Sequence, residues 1–208
     1  MRKLCFSSVF IIFSFAIASA QKLQYGLKGG LGFASQSITN PDILSTNSLT
    51  TFGLSVTVDY PLKHEFYVQA GAGILGKGVK EYQNAQTNTI TLTYLDVPLN
   101  LLRKFNLPTL GKIYVGAGPY LSVGLSGNNQ IEGVNTTTGT AVRFGNSEDF
   151  KKLDYGANFT TGLELNNHLT FNMRYSLGLN NVASQFPIDP NTTSIKNRIF
   201  MIGLGFWL

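Results

Sequence analysis

Two interleaved series of residues run through positions 153–180. Leu153, Tyr155, Ala157, Phe159, Thr161, Leu163 and Leu165 alternate with Asp154, Gly156, Asn158, Thr160, Gly162 and Glu164. After Asn166, Asn167 and His168 the alternation resumes. Leu169, Phe171, Met173, Tyr175, Leu177 and Leu179 then oppose Thr170, Asn172, Arg174, Ser176, Gly178 and Asn180. Period-two alternation in two arms joined by a short polar turn predicts an antiparallel hairpin. Setting Leu165 opposite Leu169 places Leu163 against Phe171, Phe159 against Tyr175 and Gly162 against Asn172. The turn must have three residues, because a two-residue turn would pair the apolar face of one arm with the polar face of the other. The length of each arm and its two-faced character suit a membrane-spanning strand.

The same period recurs along the chain. Strands are predicted over residues 23–33, 50–60, 65–75, 89–102, 112–123, 153–165, 169–180 and 196–208. Within 89–102, Ile90, Leu92 and Tyr94 follow one phase while Leu95, Val97, Leu99 and Leu101 follow the other. With Pro98, which lacks a ladder donor, this change of phase predicts a bulge. The connections alternate between short (61–64, 103–111, 166–168) and long (34–49, 76–88, 124–152, 181–195). Short periplasmic turns and long outer loops in an up-and-down barrel produce that alternation. The predicted fold is all-β: an eight-stranded antiparallel up-and-down transmembrane β-barrel, with both termini on the periplasmic side.

Alternation alone does not say which face meets lipid. Side-chain size does. The apolar series is dominated by Leu, Phe and Tyr, the polar one by glycine and small hydroxyls, and eight strands enclose only enough space for side chains to fill. The bulky apolar face therefore points outward. The lumen is then expected to hold Lys28, Glu65, Asp96, Glu164 and Arg174, with Asp154 nearer a rim. These charges are expected to form a structural plug of ion pairs and hydrogen bonds rather than an ion pathway. Glu164 and Arg174 belong to different levels and are not expected to pair. Arg198 departs from the pattern by sharing parity with Phe200; near the outer end of its strand it can snorkel to head groups.

Composition adds location. Arg2 and Lys3 precede an apolar run from Leu4 to Ala18, and Ala18-Ser19-Ala20 is a small-residue cleavage site. Residues 1–20 are expected to be a cleaved export signal and residues 21–208 the barrel domain. Cleavage removes two cations and no acid, so the formal charge falls from +5 to +3. That modest charge, with no basic cluster, speaks against nucleic acid as a partner. Cys5, the single cysteine, lies within the signal, so the mature chain forms no disulfide and no thiolate site.

Two segments carry a family resemblance. Tyr94-Leu95-Asp96-Val97-Pro98-Leu99-Asn100-Leu101-Leu102 and Gly116-Ala117-Gly118-Pro119-Tyr120-Leu121 resemble consecutive strand motifs of the PorT-like outer-membrane β-barrel family, common in Bacteroidetes. The resemblance implies a small barrel in the cell outer membrane. It also implies, for one branch of that family, a tie to a secretion machinery. Gly203, Phe206 and Leu208 resemble the C-terminal signal read by the barrel-assembly machinery, although Met201 and the final leucine depart from it.

Candidate chemistry is sparse. Gly71-Ala72-Gly73-Ile74-Leu75-Gly76 matches a dinucleotide fingerprint, but no amphipathic helix follows it. His64 and His168 are the only histidines, and both fall in predicted periplasmic turns. No Ser-His-acid set can therefore form at the outer rim, and a metal site is not expected. Asn135-Thr136-Thr137 and Asn191-Thr192-Thr193 match glycosylation sequons but belong to loop composition. The expectation is a non-enzymatic outer-membrane barrel without cofactors, monomeric, with a structural or surface-interaction role through its outer loops. Its partners would be outer-membrane lipid, the barrel-assembly machinery and envelope proteins. The alternatives are an accessory component of an envelope secretion or assembly machinery, and a narrow porin-like channel.

Overall fold

A computed structural model describes residues 23–39, 46–83, 86–133, 137–145, 148–184 and 194–208. The predicted signal segment, its cleavage site and both sequons' asparagines lie outside the described residues. Among those described, ten strands form: β1 (Gln24–Thr39), β2 (Thr46–Asn47), β3 (Leu49–Pro61), β4 (Phe66–Gln83), β5 (Gln86–Leu107), β6 (Gly111–Glu132), β7 (Thr137–Val142), β8 (Leu153–Leu165), β9 (Leu169–Gly178) and β10 (Ser194–Trp207). Eight of them close a ring in the order β1, β3, β4, β5, β6, β8, β9, β10 and back to β1. Every pairing is antiparallel, as an up-and-down barrel requires. β2 and β7 lie off the ring and pair the far ends of β4 and β6.

The hairpin register agrees with the alternation. Leu163 opposes Phe171, Phe159 opposes Tyr175, and Gly162 opposes Asn172. His168 N–H donates to Leu165 O at 3.0 Å across the turn, with His168 in the left-handed region at φ 72°. Tight turns also close residues 62–65 and 108–110.

The long connections are shorter than the sequence suggests. β1 continues to Thr39, and β4 and β5 run through the predicted loop at 76–88. β6 reaches Glu132, and β5 extends through Leu107 into the predicted turn at 103–111. The outer extensions of β1 and β4 turn Ser35, Ser37 and Lys80 outward while burying Gln36, Lys77 and Val79, so they lack the apolar outward series by which a strand is read from sequence.

The predicted bulge also moves. β5 keeps one phase throughout: Leu92, Tyr94 and Asp96 are all buried inward. The irregularity is in β6, where Thr93 pairs Ser126 but Tyr94 pairs Gly124, leaving Leu125 as the extra residue. Pro98 pairs Tyr120 on one side, while on the other the ladder with β4 lapses at Val97 and Pro98 and resumes in the same register.

Exposure decides which medium the wall faces. Phe52 and Leu54 are 68% and 64% exposed, whereas Lys77 and Lys104 are 1% and 2% exposed. This is the inverse of a water-soluble domain, and it makes hydrocarbon the outer solvent.

Inside, glycines make room for rings. Gly26 lies opposite Trp207, Gly162 opposite Tyr114 and Gly156 opposite Tyr120. A Cβ at Gly26 would stand 2.6 Å from Trp207 Cε3, at Gly162 2.6 Å from Tyr114 Oη, and at Gly156 2.8 Å from Tyr120 Cε1. Each small residue thus receives the large side chain of its cross-strand partner, which fills a narrow lumen without overpacking.

The three atoms nearest a Cβ at Gly26 all belong to the indole of Trp207, so the pair can be tested directly. Gly26→Val is expected to destabilise the barrel by about 1–3 kcal/mol through overpacking. Trp207→Ala in the Gly26→Val background should cost less than the sum of the single changes. Urea unfolding in micelles followed by circular dichroism measures both; strict additivity would show that the pair is not packed as described.

Candidate functional site in the barrel lumen

Among the described residues, chemistry-bearing side chains converge in the lumen. Alternation sends every second residue of each strand inward, and the ring brings those residues to common levels. In the outer half, one chain of contacts crosses the barrel. Gln36 Nε2 donates to Asn197 Oδ1 (3.0 Å), and Asn197 Nδ2 donates to Asp154 Oδ2 (2.8 Å). Lys77 Nζ donates to the same Asp154 oxygen (2.8 Å) and to Ser122 Oγ (3.0 Å). Ser122 donates to Asp96 Oδ1 (2.7 Å), whose other oxygen takes Arg174 Nη1 (2.9 Å). These seven residues come from β1, β10, β8, β4, β6, β5 and β9, one from each. The Lys77 ammonium also lies 4.5 Å from the Tyr120 ring centroid and 4.9 Å from that of Tyr94.

A second cluster occupies the periplasmic half. Lys104 Nζ reaches Asp59 at 2.7 Å and Glu164 at 2.6 Å, and Gln69 Nε2 donates to Asp59 Oδ1 at 2.8 Å. Lys104 stands 4.5 Å from the Tyr67 ring centroid and 5.1 Å from that of Trp207. Lys28 has no carboxylate within 4.0 Å among the described residues. Its ammonium faces the rings of Tyr114 (5.5 Å) and Trp207 (5.6 Å) instead, a favourable cation–π arrangement. Between the clusters lies a cavity of about 60 Å³ lined by Lys28, Thr57, Asn100, Asn172 and Arg174. Thr57 Oγ1, Asn100 Oδ1 and Asn172 Nδ2 have no protein partner there. The space and the polar lining suit ordered water.

Above the network the lumen turns apolar. Leu92, Tyr94, Val142, Phe150, Val182, Ala183 and Ile195 form one buried cluster, with Ile38, Ile90 and Phe144 packed against it. The outer connections fold in to build it: Phe150 bridges Phe144 and Ala183, and Val182 N–H donates to Ile195 O at 2.9 Å. Ile90, Leu92 and Tyr94 thus point into this cap, which explains their apparent change of phase.

Of the charges expected in the lumen, Lys28, Asp96, Glu164 and Arg174 are there. Glu164 and Arg174 bind different partners. Glu65 is not in the lumen. Its backbone takes φ 68° in the tight turn, so the strand begins only at Phe66. Its side chain is 47% exposed and lies 4.0 Å from Arg103. Lys77 and Lys104 fall in segments expected to be loop and turn and so escape the sequence reading, whereas Asp59 lies inward by parity within the predicted strand 50–60 and was legible from alternation. Extending the inward series Asp96, Asn100 and Leu102 by one further step would have found Lys104.

Gly203 packs its backbone against Gly29 inside the wall, while Phe206 and Leu208 face outward. His168, expected to be merely solvated, fastens that end of β10. Its Nδ1 lies 3.0 Å from Trp207 O, its carbonyl accepts Trp207 N–H at 2.9 Å, and its ring stacks on Phe206 at 5.9 Å. His64 stands in another turn on the same side. Gly71 and Gly73 lie within β4, not at a helix start. Among the described residues no group of three His, Cys, Asp or Glu side chains is placed to hold a metal ion.

A closed antiparallel ring with an apolar exterior and a charged, filled interior is the architecture of an outer-membrane barrel. The family model for the outer membrane protein beta-barrel domain matches residues 19–184. The chain belongs to that family. This localises it to the outer membrane. A search of curated proteins gives no match. Similar solved structures include the attachment invasion locus protein Ail of Yersinia pestis, with 12% identity, 89% of this chain and 98% of that one covered, and a TM-score of 0.44. Neisserial surface protein A gives 11% identity, 88% and 96% coverage and 0.42. OprG of Pseudomonas aeruginosa gives 15% identity, 89% and 95% coverage and 0.42. Within the family member described here, the motif residues Tyr94, Asp96 and Tyr120 all serve the filled lumen. They report how the barrel is packed, not what it acts on.

Removing one partner of a buried ion pair strands the other charge. Asp154→Ala, which leaves Lys77 without its carboxylate, should destabilise the barrel by about 3–5 kcal/mol. The double change Lys77→Met with Asp154→Leu should be far milder than Asp154→Ala alone. Urea titrations in micelles decide the matter; equal losses would mean that Lys77 and Asp154 are not coupled.

Proposed function

We propose that this protein is a non-conducting, non-enzymatic outer-membrane barrel that acts through the surface it raises above the bilayer. The observation carrying this reading is the contrast between a side-chain-filled lumen and overlong strands. Among the described residues two ion-pair clusters and an apolar cap occupy the interior, which argues against passage of a solute. Meanwhile β5 and β6 each have 22 residues. At about 3.3 Å per residue and a tilt near 40°, such a strand rises about 55 Å, roughly twice the ~25 Å apolar band. The upper halves of β4, β5 and β6, together with β7, therefore make a sheet that stands clear of lipid. β7 exposes Thr137, Thr138 and Thr140, and the tip of β6 exposes Ile131 and Glu132, a mixed surface suited to contact with other molecules.

Planar-bilayer recording tests the first half of the proposal. The purified barrel should give no stable, large conductance steps; reproducible steps would favour the narrow-channel reading. Excision of the sheet tip, by replacing residues 127–142 with a short turn, tests the second half. It should abolish surface contacts in whole-cell binding assays while leaving heat-modifiable gel migration intact.

A second reading, an accessory subunit of an envelope secretion or assembly machinery, is supported by the resemblance of the segments 94–102 and 116–121 to the PorT-like family. Crosslinking in intact membranes separates the two. Repeated capture of secretion subunits supports the accessory role, and their absence supports the surface role.

A further inference from the structure

The outward series of β10 reads Lys196, Arg198, Phe200, Ile202, Leu204 and Phe206. Two cations therefore stand directly above an apolar wall on the lipid side. Across the strand pair, Arg198 opposes Ser35 and Lys196 opposes Ser37, and both serines belong to the outward series of β1. On the other flank Arg198 opposes Leu177. Among the described residues no carboxylate lies within 4.0 Å of either cation. Asp59, Asp96, Asp154 and Glu164 are in the lumen, Glu65 is in a periplasmic turn, Glu81 and Glu132 lie far out on β4 and β6, and Glu148 and Asp149 precede β8. Arg103, the outward cation at the opposite rim, is by contrast satisfied by Glu65 and by the rings of Phe66 and Phe105.

Depth identifies the ligand. Ten residues separate Leu208 from Arg198. At about 3.3 Å per residue and a tilt near 40° they rise about 25 Å, the height of the apolar band. Arg198 thus lies where hydrocarbon gives way to head groups. Residues two apart on one face of a strand stand about 7 Å from each other, and facing residues of paired strands about 5 Å. Two cations and two hydroxyls therefore border one patch of phosphate size, and guanidinium and ammonium groups are the natural partners of phosphate oxygens.

Below the patch an apolar groove crosses β1, β10, β9 and β8, lined by Leu31, Ile202, Leu204, Phe171, Met173 and Leu163. From Arg198 to Ile202 is about 13 Å along the strand, within reach of an acyl chain hanging from a head group at the rim. We propose that Lys196, Arg198, Ser35 and Ser37 bind the phosphate of an outer-leaflet lipid whose acyl chain lies in this groove. The apolar wall beneath the cations commits the site to a lipid phosphate rather than a free one.

Native mass spectrometry of the full folded chain in zwitterionic detergent tests this. Dilauroyl phosphatidic acid and dilauroylglycerol share their chains and differ by the phosphate. The wild-type barrel should hold the phosphate-bearing lipid about tenfold more tightly. Lys196→Gln with Arg198→Gln should reduce that preference to near unity. Arg198→Gln alone should lose part of it, and Lys63→Gln, in a periplasmic turn, none. Heat-modifiable migration checks that each variant is folded. The proposal is overturned if the double variant keeps the preference or if the wild type has none. It is overturned equally if inorganic phosphate displaces the lipid at comparable concentration, which would assign the site to free phosphate.

Discussion

A strand in hydrocarbon has no water to satisfy its backbone, so every N–H and C=O must find a partner on a neighbouring strand. Closure of the ring follows from that requirement alone: eight antiparallel pairings, with β1 meeting β10, leave no open edge at membrane depth. The rest of the molecule depends on it. Once the outer face is given over to Leu, Phe and Tyr, the residues left for the interior are polar, small or charged, and they must hold each other.

They do so in two complementary ways. Glycine and aromatic residues face one another across strand pairs, as Gly26 does with Trp207 and Gly156 with Tyr120, which settles volume. Charges settle direction. The chain from Gln36 through Asp154, Lys77 and Asp96 to Arg174 draws one residue from each of seven strands, so it ties opposite walls together as no backbone pairing can. Buried charges are expensive to desolvate and tolerable only with full partnership. Lys104, shared by Asp59 and Glu164, meets that condition, while Lys28 has the weaker attraction of the Tyr114 and Trp207 rings.

With the lumen filled in this way, the proposed role falls to the wall and the outer surface. The cap of Leu92, Tyr94, Phe150 and Val182 fills the outer end of the lumen among the described residues, while β4 to β7 rise past it. Lys196 and Arg198 mark where the wall ends. Barrel, cap, rim and raised sheet thus form four levels along one axis, and the connections between strands contribute to structure as much as to surface.

The sequence by itself determined the wall. Strict alternation from Leu153 to Gly178 sets strand, register and lipid face together, because a slip of one residue would turn every apolar side chain into the lumen. It determined the number of strands in the ring for the same reason, but not the length of the outer connections, where β4 and β5 run on through the expected loop at 76–88. Tertiary structure alone decided which inward residues meet. Parity places Asp96, Glu164 and Arg174 in the lumen, but the stagger of distant strands chooses Lys104 for Glu164 and Asp96 for Arg174. It decided too that Glu65 leaves the strand, since a left-handed turn residue has no signature in alternation. Where both faces of a strand are wet, as in β7, or where an apolar residue points into a cap built by distant loops, as with Leu92, local pattern is silent. Those residues owe their environment to chain segments far away in sequence.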